Sequence, residues 1–187
     1  MVYSKDMNRP QNYHPITKSF HWIVVALVGV QFLVGWIMPD IRGNSSPEAL
    51  VSFHMSFGLV ILLVMLLRVL WWATHPNPRL LTGSPWWQNL TAKLVHYALY
   101  ILLVILPITG WLIASARGWS VNLFGLFNAP NLIAPNPSSI QLYVAAHVAT
   151  VLLVALLIAG HAFMVLYHHF IVKDTVLKRM LPAYWTK

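Results

Sequence analysis

Four uninterrupted apolar runs, about residues 20–38, 53–73, 94–114 and 142–172, decide the solvent in which this chain folds. Each supplies the roughly 20 residues needed to cross about 30 Å of hydrocarbon as a helix. The runs are continuous and do not alternate, so helices and not barrel strands are expected to satisfy the backbone in lipid. Only 9% of residues are charged against 58% hydrophobic, too few polar groups to cover a water-soluble bundle of this size. The expectation is an all-α, integral membrane four-helix bundle forming a single domain over residues 1–187.

Punctuation agrees with that division. Pro39, Pro76, Pro78 and Pro85 fall between runs, while Pro107 lies inside the third and predicts a kink there. The first run ends at Met38-Pro39-Asp40 with no small-residue cleavage site, which reads as a retained helix and not a signal peptide. The fourth run is long enough to continue beyond the bilayer, carrying Tyr167, His168 and His169. Residues 115–140 form the longest loop. Its Trp119, Leu123, Phe124 and Phe127 suggest a short segment lying over one membrane face.

The net charge of +8 is a matter of topology, not of nucleic-acid binding, because the cations flank the apolar runs. Lys5, Arg9, Lys18, Arg68, Arg79, Lys93, Lys173, Lys178, Arg179 and Lys187 fall on one side, and only Arg42 and Arg117 on the other. That bias places both termini in the cytoplasm. The absence of cysteine removes disulfides, thiolate metal sites and iron–sulfur ligation.

Histidines then locate the chemistry, since a polar side chain inside a membrane is costly and marks function by default. His21, His54, His96, His147 and His161 all lie within the runs. Fourteen residues separate His147 from His161. At 1.5 Å and about 100° per residue, that is about 21 Å of axial rise and close to four full turns. One helix therefore presents two imidazoles on one side, one near each membrane face. The same interval links His21 to Gly35, His54 to Arg68 and His96 to Gly110. Glycine admits a flat macrocycle close to the backbone, and arginine can pair with a propionate.

Alternating chain direction puts His54 level with His147 on the outer side. On the inner side His161 has two possible partners, His21 and His96, and spacing does not choose between them. Each level offers neutral imidazoles without carboxylate or thiolate, a poor set for zinc but the complement of a porphyrin, which brings four nitrogens of its own. Two haem b groups are the expected cofactors. A transporter using these histidines would be expected to show broken helices and intramembrane carboxylates, which are missing.

Phe20-His21-Trp22, the His54 region ending in Leu67-Arg68, Leu94-Val95-His96-Tyr97 and the His147…His161 pair, taken in order, resemble the bacterial cytochrome b561 family. The tail His168-His169-Phe170-x-x-Lys173-Asp174-Thr175-x-Leu177-x-Arg179-Met180 is its most recognisable stretch, and the resemblance spans about residues 14 to 181. It implies a multi-pass bacterial inner-membrane dihaem cytochrome. It further implies that His21 and His161 ligate the inner haem iron and His54 and His147 the outer one, leaving His96 to the inner haem edge or a quinone pocket. A characterised member oxidises superoxide and passes electrons to ubiquinone, so the same activity is implied here, with His168 or His96 as proton donor. Arg42 and Arg117 are balanced by Asp40 and Glu48 in the outer loops, which leaves Arg117 as the candidate for drawing in an anion. The alternative role is an electron-transfer subunit exchanging electrons between a periplasmic partner and ubiquinone or another membrane quinone.

Overall fold

The computed structural model describes residues 12–39, 46–75 and 85–182. Lys5, Arg9, Asp40, Arg42, Pro76, Pro78, Arg79 and Lys187 lie outside the described residues. Helix α1 runs from Pro15 to Ile37, α2 from Ala49 to Thr74, α3 from Trp86 to Ala116 and α4 from Ile140 to Tyr167. All four are long and apolar enough to cross a membrane. α1 and α3 start five and eight residues before the apolar runs suggested, because their first turns carry polar residues that belong at a membrane surface. Pro15 occupies the first turn of α1, where its missing N–H costs nothing, and His14 Nδ1 caps the turn by accepting from the Ile16 amide at 3.2 Å. Pro107 removes one rung from α3 without ending it.

The long fourth run is not one α-helix. At His168 the backbone widens into a single π turn, His168–Val172, which ends at Lys173 in the left-handed conformation (φ 58°). A five-residue helix, α5 (Val176–Met180), then folds back under the start of α1. There Lys18 Nζ donates to the Leu181 carbonyl at 2.8 Å and Trp22 Nε1 to that of Met180 at 3.1 Å, so α5's last carbonyls find donors on α1.

Packing is sequential but does not close. α1 packs on α2, α2 on α3 and α3 on α4, whereas α4 hardly touches α1 or α2. Val24, Val28, Ile61, Met65, Leu103 and Val154 form the buried core at mid-height. Val154, fully buried, lies seven residues from both His147 and His161 and so sits midway between them. The outside is apolar instead: Leu33, Leu63, Ile101, Leu156 and Phe163 are all exposed, as a lipid solvent requires.

The 115–140 loop departs from an all-helical plan. It forms an antiparallel hairpin, β1 (Val121–Leu123) with β2 (Phe127–Ala129), turning through Phe124 (φ 48°) and Gly125 (φ 82°). Trp119, Val121 and Ala129 bury themselves against Val51 of α2 and Ala114 of α3, which caps one end of the bundle. The surface segment expected there is present, but its Trp119 faces inward while Leu126 and Phe127 face out. Ser56, buried on α2, ties the cap down: its Oγ donates to the Asn122 carbonyl at 2.5 Å and accepts from the Phe124 amide at 3.3 Å.

Removing that hydroxyl deletes both bonds that tie the hairpin backbone to α2 through Ser56, leaving the Asn122 carbonyl and the Phe124 amide only each other at 3.2 Å, a loss of about 1–3 kcal/mol for the two bonds. Ser56→Ala is therefore expected to raise amide hydrogen exchange across residues 121–129 about tenfold or more, with exchange in α1 and α4 unchanged. Equal protection in both proteins would refute the tether.

Candidate functional site

The five intramembrane histidines gather at two levels. At the hairpin end, His54 on α2 and His147 on α4 face each other edge to face, ring centres 6.3 Å apart and planes at 76°. At the end bearing both termini, His21 on α1 and His161 on α4 repeat the arrangement, again at 6.3 Å and at 68°. His96 on α3 joins this second level, its ring centre 5.2 Å from that of His161. The fourteen-residue interval on α4 thus delivers one imidazole to each level, as helical geometry demands.

A metal binds an imidazole nitrogen at about 2 Å, and that nitrogen lies about 1 Å from its ring centre, so imidazoles on opposite sides of one metal stand roughly 6 Å apart centre to centre. Both α4 pairs have that separation, and both join α4 to helices whose backbones it seldom approaches closely. The His96–His161 pair is closer than this and joins α3 to α4, which do pack directly. Among the described residues no three His, Cys, Asp or Glu side chains converge on one point, so a bare ion finds no cage at either level.

Beside His21 a cavity of about 310 Å³ opens between α1, α3 and α4, lined by His21, His96, His161, Arg68, Tyr100 and Gly29 among others. Arg68 crosses its edge. Its Nε donates to the Tyr100 hydroxyl at 2.9 Å, its guanidinium lies 4.9 Å from the Tyr100 ring centre, and Nη2 stands 3.5 Å from His21 Nδ1. His96 turns its Nδ1 to the Ala92 carbonyl at 2.6 Å, which requires a proton on that nitrogen and leaves Nε2 as an acceptor. Just outside the first span, Tyr13 lies under Arg179; burial raises its phenol pKa and the guanidinium pulls against that rise.

Gly35 and Gly110 both belong to the hairpin-end level, as their spacing implied, but the group each approaches is an imidazole. A Cβ on Gly35 would lie 3.8 Å from His54 Cε1, and one on Gly110 only 3.3 Å from His147 Cε1. His168 does not line the cavity. It sits on the π turn with Nδ1 2.5 Å from Asp174 Oδ2, and Asp174 also accepts from the Val176 amide at 2.9 Å. Arg117 ends α3 and lies 5.1 Å over the Trp119 ring at the hairpin end.

Several side chains at these levels escaped the sequence reading. Tyr100, Gly29, Thr109 and Gln31 all sit beside the histidines. Tyr100 lies four residues beyond His96, one turn along the same face, a signal that helical spacing could have supplied. Gln31 had no such signal. It reaches from α1 to donate to the His54 carbonyl at 2.9 Å, a contact fixed only by how two helices pack.

The family model described as prokaryotic cytochrome b561 matches residues 12–183. Cytochrome b561 homolog 2 of Escherichia coli (strain K12) is 35% identical over 179 residues, covering 93% of each chain. Cytochrome b561 homolog 1 of the same organism is 30% identical over 166 residues, 87% of this chain and 92% of that one. A protein of Yersinia pestis named probable superoxide oxidase CybB is 31% identical over 176 residues, 92% of this chain and 97% of its own. Matched along nearly its whole length and built of four apolar helices, the chain belongs to the prokaryotic cytochrome b561 family, multi-pass inner-membrane proteins of electron transport that carry b-type haem.

Proposed function

We propose that this cytochrome holds two haems, oxidises superoxide at the hairpin end and reduces a membrane quinone, ubiquinone or a relative, at the end bearing both termini. The observation that carries this reading is the pair of facing imidazoles at each level, with the same 6.3 Å separation, across helices that leave a gap. His54 and His147 are the proposed ligands of the outer iron, His21 and His161 of the inner one. When bound, the haems supply one-electron chemistry and link the two faces. Lys18, Arg68, Lys93, Lys173, Lys178 and Arg179 near the termini, against Arg117 at the hairpin end, support a cytoplasmic location for both termini.

Each side chain then has a task. An imidazole bound to iron through Nε2 carries its proton on Nδ1, so His21 can no longer accept from Arg68. The Arg68 guanidinium, held through Nε by Tyr100 at the cavity edge, would then be available to pair with a propionate. Gly35 and Gly110 keep the backbone clear of His54 and His147. His96, close to His161 but too near to share a metal with it across the gap, is left to the cavity edge, with Nε2 available to accept a hydrogen bond.

Two superoxide anions, one quinone and two protons give two molecules of oxygen and one quinol. His168, held by Asp174 at the end bearing the termini, and His96 at the cavity edge are the proposed proton donors to the quinone. At the other end Arg117 is the described cation that can attract an anion, and Glu48 nearly cancels it. That weak field favours the second reading, an electron-transfer subunit whose outer partner is a protein docking on the hairpin, where Leu126 and Phe127 are exposed.

Replacing a ligand should empty one site only. His54→Ala and His147→Ala are each expected to halve the haem content, and His21→Ala likewise, while His96→Ala keeps both haems. Haem-to-protein ratios and reduced spectra check this; loss of the inner haem in His96→Ala with retention in His21→Ala would reverse the inner assignment. In liposomes, enzymatically generated superoxide should reduce the haems and produce quinol. His168→Ala should slow quinol formation by about 10²-fold or more, the usual scale for losing a positioned proton donor, and spare haem reduction. Haems that respond to quinol but not to superoxide would select the subunit reading.

A further inference from the structure

The outer imidazole on α4 has a partner that fixes which of its nitrogens is free. Thr109 of α3 is buried, and its hydroxyl has two neighbours: the Leu106 carbonyl at 2.7 Å and His147 Nδ1 at 2.9 Å. A hydroxyl has one proton, and a carbonyl can only accept. The Thr109 proton therefore goes to Leu106, and the Thr109 oxygen accepts from His147 Nδ1–H. That leaves the lone pair of His147 on Nε2. Gly110, the next residue of α3, lies against the same ring, so adjacent positions supply its hydrogen bond and its clearance.

We propose that Thr109 is a positioning residue for the outer haem: it locks His147 in the tautomer that binds iron through Nε2 and makes the ring a stronger electron donor. The proposal rests on the ligand reading of His147 given above. A hydrogen bond accepted from the remote N–H of a ligating imidazole raises its basicity, which favours ferric over ferrous iron. Among the described residues no counterpart stands opposite, where the buried His54 Nδ1 has no hydrogen-bond partner. The outer site is thus supported from the α4 side.

The test is potentiometric titration of the purified cytochrome and of two variants, followed in the visible spectrum. Thr109→Val keeps the shape and removes the acceptor. It is expected to raise the outer midpoint, favouring ferrous iron by up to about tenfold, or about 59 mV for a one-electron couple. The inner midpoint should stay fixed, and Thr109→Ser should keep the unaltered value. If the valine variant instead loses the outer haem while the serine variant retains it at the native potential, the positioning role is equally upheld. An unchanged outer midpoint in Thr109→Val overturns the proposal, as does an equal shift in valine and serine variants. Retention of both haems by His147→Ala would overturn it from beneath, by removing the ligand reading itself.

Discussion

An imidazole in hydrocarbon must either find a hydrogen-bond partner or bind something, and four of the five intramembrane histidines face one another across gaps between helices that do not pack. The gap is a consequence of α4 lying along α3 alone. Were α4 packed tightly on α1 and α2, the rings would collide or bond to backbone, and the protein would be an ordinary bundle. Held apart, they could grip a flat group from both sides, and such a group would supply contacts that the helices lack.

The two levels are insulated by an apolar block. Val24, Val28, Ile61, Met65, Leu103 and Val154 meet at mid-height with no polar side chain among them, and Val24, Val28, Met65 and Leu103 also wall the cavity beside His21. Such a barrier suits electrons and excludes ions, since crossing it as a charge would require burial in low dielectric. It also explains why the polar machinery is confined to the two ends.

Those ends are built differently. The hairpin end is a cap anchored by Ser56, Ser115 and Trp111, with Ser115 Oγ accepting from the Leu132 amide and Trp111 donating to the Pro130 carbonyl. The opposite end is closed by α5 and the π turn, where His168 pairs with Asp174, Lys18 holds the Leu181 carbonyl and Arg179 lies over Tyr13. Among the described residues Arg117 and Glu48 balance at the hairpin end, whereas Lys18, Lys93, Lys173, Lys178 and Arg179 outnumber Asp174 at the other.

The sequence by itself determined the number of spans, their membrane setting and the pairing of levels, because hydrophobic length and a fourteen-residue helical interval are local properties that need no partner. It also set His54 opposite His147, since chain direction alternates. It left His161 with two candidate partners, and it put Gly35 and Gly110 on the outer level without showing that they lie against His54 and His147. Only the tertiary structure gave the two candidates different settings, His21 on α1 with its ring centre 6.3 Å from that of His161 and His96 at 5.2 Å on the closely packed α3. The same is true of Thr109 and Gln31, of the hairpin, and of the π turn that aims His168 at Asp174. Each depends on the distance and rotation between elements far apart in the chain, and periodicity along one helix carries no information about either.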